Sequence, residues 1–254
     1  MAEIQPSENI ALVTGGNKGI GREVVRQLAA AGMTVYLGAR HADRGRQAAQ
    51  ELAGSGSDVR FLQLDVTDQN QVDGAALRIR DECGRLDLLV NNAGIVVEWG
   101  VPISDVTAAL VRAAYETNVF GVVAVTQACL PLLRCSADPR IVNVSSPLGS
   151  LAFLSDQKNP ISTRHLLPYS SSKAALNAIT VLYANALREE GVRVDAVSPG
   201  LVATDLNARS PFSRGVLTPE QGAAVVVGLA RGDAEGPAGA FHSHDGSSWQ
   251  TLPW

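Results

Sequence analysis

Tyr169 and Lys173 stand four residues apart in Tyr169-Ser170-Ser171-Ser172-Lys173, and on a helix that spacing projects both side chains from one face into one cleft. A free phenol ionises near pH ~10, and a cation beside it favours the phenolate. Such a phenol can protonate a carbonyl oxygen in one direction and, as phenolate, take an alcohol proton in the other. Upstream, the apolar run 141–144 ends in Ser145-Ser146. A hydroxyl at the carboxyl end of a parallel strand lies where open α/β sheets bind ligands, and strand alternation lets only one of the two serines face the cleft. Asn118, in Thr117-Asn118-Val119-Phe120-Gly121, is an amide in an otherwise apolar helical stretch, where it must find hydrogen-bond partners.

A second group of residues suits phosphate. The run Thr14-Gly15-Gly16-Asn17-Lys18-Gly19-Ile20-Gly21 follows a β-branched stretch and precedes one with helical periodicity. Glycines at such a strand-to-helix turn let the backbone approach a pyrophosphate, and the helix N-terminus offers it free N–H groups.

The elements that must position these groups follow from periodicity. Short apolar runs at 10–14, 34–37, 60–64, 86–91, 140–145, 192–197 and 239–242 alternate with helical spacing at 20–31, 44–53, 69–83, 104–133 (with a break near Ala113), 170–190 and 219–231. The alternation predicts an α/β fold: a doubly wound, mostly parallel sheet of about seven strands with helices on both faces. The 254 residues, 46% hydrophobic and 18% charged, suit a single domain spanning 1–254. A net charge of -4 with mixed signs argues against nucleic-acid binding. Cys83, Cys129 and Cys135 are too few and too scattered for a disulfide framework or a zinc site, so a reducing compartment suits them. The N-terminal stretch lacks a leader pattern and no run of about 18 uninterrupted apolar residues occurs. A cytoplasmic protein with no membrane partner is expected.

The motifs in order, Thr14-Gly15-x3-Gly19-x-Gly21, Asn91-Asn92-Ala93-Gly94, Asn118, Ser146, Tyr169-x3-Lys173 and Pro199-Gly200, resemble those of the short-chain dehydrogenases/reductases from about Ile10 to Trp254, and the first of them looks like the carbonyl-reductase branch. The resemblance implies a Rossmann fold with Tyr169 as general acid, Lys173 tuning it and holding the nicotinamide ribose, Ser146 rather than Ser145 orienting the substrate oxygen, and Asn118 supporting a water relay. It also implies that Asp65 and Val66 flank the adenine, that Asn92, Ala93 and Gly94 line the ribose side, and that Pro199, Gly200, Val202 and Thr204 frame the carboxamide.

Cofactor choice turns on the end of the second strand, where NAD-selective relatives carry an acid. Here Tyr36-Leu37-Gly38-Ala39-Arg40 offers none. Arg40, with Lys18 in the position where NADPH-using relatives carry a cation, points to NADPH. Arg44 could add a third charge. The expected reaction is reduction of a ketone or aldehyde. An alcohol dehydrogenase working in oxidation, an epimerase or dehydratase, and a non-catalytic NADPH sensor are the alternatives.

Residues 205–215 occupy the place of a substrate lid, and 147–168 form a long insertion before Tyr169. Phe153, Leu154, Leu166, Leu167 and the lid's Phe212 suggest a fairly hydrophobic substrate. Arg209 and Arg214 are read as solvated rather than as an anion clamp. The small residues Ser170-Ser171-Ser172 and Ala174-Ala175 suit close helix packing, so a homo-oligomer is expected.

Overall fold

A computed structural model of the chain describes residues 9–54, 56–234 and 236–254. The N-terminal stretch read above for a leader lies, but for its last residue, outside them. Eight strands form one sheet: β1 (Ile10–Thr14), β2 (Thr34–Ala39), β3 (Val59–Gln63), β4 (Leu88–Asn91), β5 (Arg140–Val144), β6 (Arg193–Ser198), β7 (Phe241–His244) and β8 (Trp249–Thr251). Their order is β3-β2-β1-β4-β5-β6-β7-β8. All neighbours pair parallel except the closing β7–β8 hairpin. The sequence reading missed β8 because three residues are too few to show alternation. The order reverses direction between β1 and β4, and that switch point is where a doubly wound sheet opens a ligand crevice at its carboxyl edge.

Helices α1 (Gly19–Ala30), α2 (Ala42–Ala53), α3 (Gln69–Cys83), α4 (Ala108–Tyr115), α5 (Gly121–Leu133), α6 (Leu151–Ser155), α7 (Leu167–Ala186) and α8 (Pro219–Arg231) cover the sheet. Two apolar clusters mark the two layers. One joins β1, β2 and β4 to α1, α2 and α8; the other joins the opposite face to α3, α5 and α7. Strands β1 and β2 are buried along their whole length, as expected of a sheet covered on both sides.

The expected break near Ala113 is instead a π-helical turn, Glu116–Phe120, that joins α4 to α5 without interrupting the helix. The combined run Ala108–Leu133 is long and apolar enough to cross a membrane, yet 56% of its most apolar window is buried inside the protein, as befits a core helix. The insertion 147–168 is folded rather than open, through α6 and short 3-10 turns at Pro147–Gly149 and Pro160–Thr163. The chain terminus fastens it. Ala152 N donates to the Trp254 carbonyl at 2.9 Å, and the Trp254 ring stacks on Phe241 at 5.5 Å.

Candidate active site

The glycine turn between β1 and α1 takes backbone shapes that favour glycine, with φ of 65° at Gly15 and 55° at Gly19. Helix α1 starts at Gly19, and no side chain caps it, so the N–H groups of Gly19, Ile20 and Gly21 stand at an open helix N-terminus. Asn17 is half-buried beside them. The turn is braced from β4. Asn92 Nδ2 donates to the Thr14 carbonyl at 2.9 Å, and the Asn92 and Ala93 N–H groups both donate to Thr14 Oγ1 at 3.0 Å. The side chain of Asn92 is therefore engaged by the turn itself. Thr204 closes over the same turn, its Cγ2 lying 3.6 Å from where a Cβ on Gly19 would sit.

Across the switch point, Tyr169 and Lys173 are 7% and 5% exposed, and the Lys173 ammonium lies 5.8 Å from the centre of the Tyr169 ring. Lys173 Nζ donates to the Val144 carbonyl at the end of β5 at 2.8 Å. The two serines part as alternation requires. Ser145 Oγ is buried and donates to Asn177 Oδ1 at 2.6 Å, whereas Ser146 stays half-buried, its Oγ accepting from Leu148 N at 3.2 Å, and lies near enough to the Tyr169 phenol to lower its pKa. Helix α7 can come this close because the segment facing it is Gly149. A Cβ there would lie 2.6 to 2.8 Å from the backbone of Lys173 and Ala174. Asn118, fully buried in the π turn, accepts from Ile95 N at 2.9 Å and donates to the Ile95 carbonyl and to Ser172 Oγ, both at 3.0 Å. Gly94 completes the cradle: a Cβ on it would stand 3.5 Å from Asn118 Oδ1 and 3.7 Å from Lys173 Nζ.

The electrostatics depart from the sequence reading. Burial pushes the Tyr169 phenol up to about 12, against a lowering hydrogen bond from Ser146 and with a further rise from Glu98. Lys173 does not reverse this, because burial pulls its own ammonium down to about 8 and its Nζ is turned to Val144. Without cofactor the pair is thus a held proton beside a weakened cation, rather than a phenolate in waiting.

Around this centre, Arg40 is exposed directly after β2. Lys18 pairs with Asp205 at 3.2 Å, with side chains 62% and 73% exposed, a contact weak enough for a phosphate to displace. Ala39 is 1% exposed and packs beside Gly45, so the exposed side chain at this end of β2 is that of Arg40. Val66 packs against Gly121, and Asp65 accepts from Thr67 N and Oγ1. Val202 is buried and bridges to Leu217; Pro199 and Gly200 precede it, with φ of 81° at Gly200.

The segment 205–215, expected above to act as a lid, is anchored at three points. Trp99 Nε1 donates to the Leu206 carbonyl at 2.8 Å, Arg164 stacks on Phe212 at 3.8 Å, and Arg214 donates to the Thr204 carbonyl at 2.7 Å. Arg214 is thereby part of the lid's own fold, and the Arg164 stack ties the lid to the insertion. Leu166 is buried, Phe153 and Leu154 are half-buried, and His165 is exposed. Glu98 and Trp99 carry no motif, so no signal in the sequence marked them. Two of the small residues read as packing surface, Ser170 and Ser172, are buried within the chain itself.

A mostly parallel sheet with a glycine turn at its switch point and a Tyr-Lys-Ser group at its carboxyl edge, Tyr169 and Lys173 buried, defines a dinucleotide-binding α/β protein. The short chain dehydrogenase model matches residues 9–213, and the chain belongs to that family of oxidoreductases, whose members use NAD(P). Salutaridine reductase of Papaver bracteatum is 34% identical, over 91% of this chain and 93% of that protein. (+)-Neomenthol dehydrogenase of Arabidopsis thaliana is 35% identical, over 96% and 98%. Among solved structures, an NADPH-bound carbonyl reductase from chicken fatty liver superposes with a TM-score of 0.82 at 28% identity, covering 98% of this chain and 100% of that one.

The depressed Lys173 has a measurable consequence. The unfolded chain holds that proton up to an ordinary lysine value of 10.5, the folded chain only to about 8, so folding releases a proton between these limits and stability rises with pH across them. Urea unfolding of the wild type relative to Lys173→Met should gain about 3 kcal/mol from pH 8 to 10.5. Parallel pH dependences in the two proteins would mean that Lys173 titrates as a solvated amine.

Proposed function

We propose that the protein is an NADPH-dependent carbonyl reductase that converts a fairly hydrophobic ketone or aldehyde to the alcohol, and that Tyr169, Ser146, Lys173 and Asn118 are its catalytic set. The observation that carries this reading is the buried Tyr169, with the Lys173 ammonium 5.8 Å from its ring and Ser146 acting on its phenol.

The residues present fit a dinucleotide. The N–H groups of Gly19, Ile20 and Gly21 with Gly15 and Asn17 would hold the pyrophosphate, Lys18 and Arg40 the 2′-phosphate, Asp65 and Val66 the adenine side. Ala93 and Gly94 would line the ribose with Lys173, backed by Asn92, while Pro199, Gly200, Val202 and Thr204 would border the nicotinamide. When bound, the cofactor supplies the hydride. Tyr169 gives its proton to the substrate oxygen as the carbonyl carbon receives hydride, so the product is a neutral alcohol. Ser146 orients that oxygen through the hydroxyl that already meets the phenol. Lys173 stabilises the phenolate left behind and returns its proton, its ammonium being easily deprotonated after burial. Asn118 fixes the Ile95 backbone and Ser172, and so the wall against which Lys173 and Gly94 meet.

The half-buried Phe153 and Leu154 and the Phe212 lid support an apolar substrate, and the engagement of Arg214 within the lid argues against an anion clamp. The unpaired thiols Cys83, Cys129 and Cys135 accord with a cytosolic enzyme. Exposed Leu167 and Leu182 on α7 leave room for a homo-oligomer.

Two experiments test this reading. Tyr169→Phe should abolish ketone reduction while NADPH still quenches protein fluorescence with unchanged affinity; retained turnover would remove the phenol from the mechanism. Arg40→Ser should raise the KM for NADPH about ten- to a hundredfold and leave that for NADH unchanged, in paired kinetic assays. A wild type that already prefers NADH would overturn the cofactor assignment.

A further inference from the structure

Helix α7 begins with an uncapped problem. The residue before it is Leu166, which has no polar side chain to cap with, and Pro168 has no N–H. Ser170 N is satisfied inside the helix, donating to the Leu166 carbonyl at 2.7 Å. Of the first-turn N–H groups, that of Leu167 belongs to an exposed residue, and that of Tyr169 remains at a buried position. It is met from outside the helix. Glu98, in the loop after β4 and 0% exposed, accepts from Tyr169 N on Oε1 at 2.7 Å and from Val97 N on Oε2 at 3.0 Å. Both carboxylate oxygens are therefore engaged, one of them by the residue that carries the phenol. A buried acid is an expensive choice for a cap that a serine at position 166 could have provided. Its negative charge is what a serine would lack.

We propose that Glu98 is a positioning residue for Tyr169: it caps α7 in trans, and its buried carboxylate, bonded to the backbone of the residue that carries the phenol, holds the proton on that phenol between turnovers. This rests on the reading of Tyr169 as the proton donor. Electrostatics support it, since Glu98 is the charged group that raises the phenol, after burial and against the Ser146 hydrogen bond. The other titratable groups on elements packed against α7 are placed otherwise. Lys173 turns to Val144, Arg193 pairs with Asp195 at 2.7 Å on β6, and Arg188, Glu189 and Glu190 lie at the far end of the helix. Arg112, Tyr115 and Glu116 of α4 and the π turn do not act on the phenol. The neighbouring Trp99 grips the lid at Leu206, so one dipeptide touches both the proton donor's helix and the lid.

The test needs no substrate. Tyrosinate absorbance, read within seconds of a jump to alkaline pH and taken as the difference between each protein and its Tyr169→Phe counterpart, isolates the Tyr169 phenol. In Glu98→Gln, which keeps an acceptor and loses the charge, the midpoint should fall by roughly half a unit to one unit. In Glu98→Asp, which keeps the charge and is one methylene too short, the midpoint should stay while the Tyr169 and Ser170 amides exchange hydrogen faster. An unchanged midpoint in Glu98→Gln overturns the electrostatic part, and unchanged exchange in Glu98→Asp overturns the cap. Should Glu98→Gln fail to fold, Glu98→Asp still decides: a midpoint that falls, or exchange that stays slow, rejects the proposal. These readouts stand apart from the activity of Tyr169→Phe. If that variant turns over ketone, the functional reading fails, whereas an inactive Tyr169→Phe with an immobile midpoint in Glu98→Gln rejects the role of Glu98 alone.

Discussion

The registration of α7 on the end of β5 is the constraint on which the rest of the site depends. Three side chains on one face of the helix, at Lys173, Asn177 and Thr180, meet three successive strand residues. Lys173 Nζ reaches the Val144 carbonyl, Asn177 accepts from Ser145 Oγ, and Thr180 accepts from Asn143 Nδ2 at 2.9 Å. Asn143 in turn accepts from Asn91 of β4 at 2.9 Å, so the ladder runs on from β5 to β4, the strand beside the switch point. Every rung is buried, where a misplaced polar group is costly and a one-residue slip would break all three contacts together. That cost gives the Tyr169 hydroxyl its fixed place, because a helix locked at three points cannot roll the phenol away from Ser146.

Burial has a second effect on the same residues. The packing that fixes Tyr169 and Lys173 also removes water from them, and desolvation moves both toward their neutral forms. A neutral phenol is the form that donates a proton, and an ammonium near its titration point is a ready source for replacing it. The loop after β4 belongs to the same arrangement. Asn118 clamps it at Ile95, Glu98 joins it to the start of α7, and Trp99 joins it to the lid. A further anchor, Arg164 on Phe212, comes from the insertion, which Trp254 holds in turn. Segments distant in sequence are thus tied together by these contacts.

Local signals carried much of this. The glycine turn, the continuous apolar runs of β1 and β2 and the four-residue spacing of Tyr169 and Lys173 each encode geometry within a short window, so they were legible as residues. The choice of Ser146 over Ser145 depended on the family resemblance, because the Asn177 partner that engages Ser145 is 32 residues away in sequence. What the sequence could not display was made by tertiary contact. Glu98 and Trp99 look like any loop residues until α7 and the lid are placed beside them. The π turn at Glu116–Phe120 leaves no trace in hydrophobic period, because one extra residue per turn does not disturb an apolar stretch. The direction of the Tyr169 shift was misjudged for a related reason: spacing reveals the neighbouring cation but not the depth at which both groups lie.

The account rests on a hydride arriving at a carbonyl carbon whose oxygen Tyr169 protonates. Turnover of a hydrophobic ketone with NADPH carrying deuterium at its transferable C4 position, followed by mass spectrometry of the product, tests this most directly. The account predicts an alcohol with one deuterium fixed on the carbinol carbon and an equal loss of NADPH. An alcohol without that label, or conversion that leaves NADPH unconsumed, would contradict it.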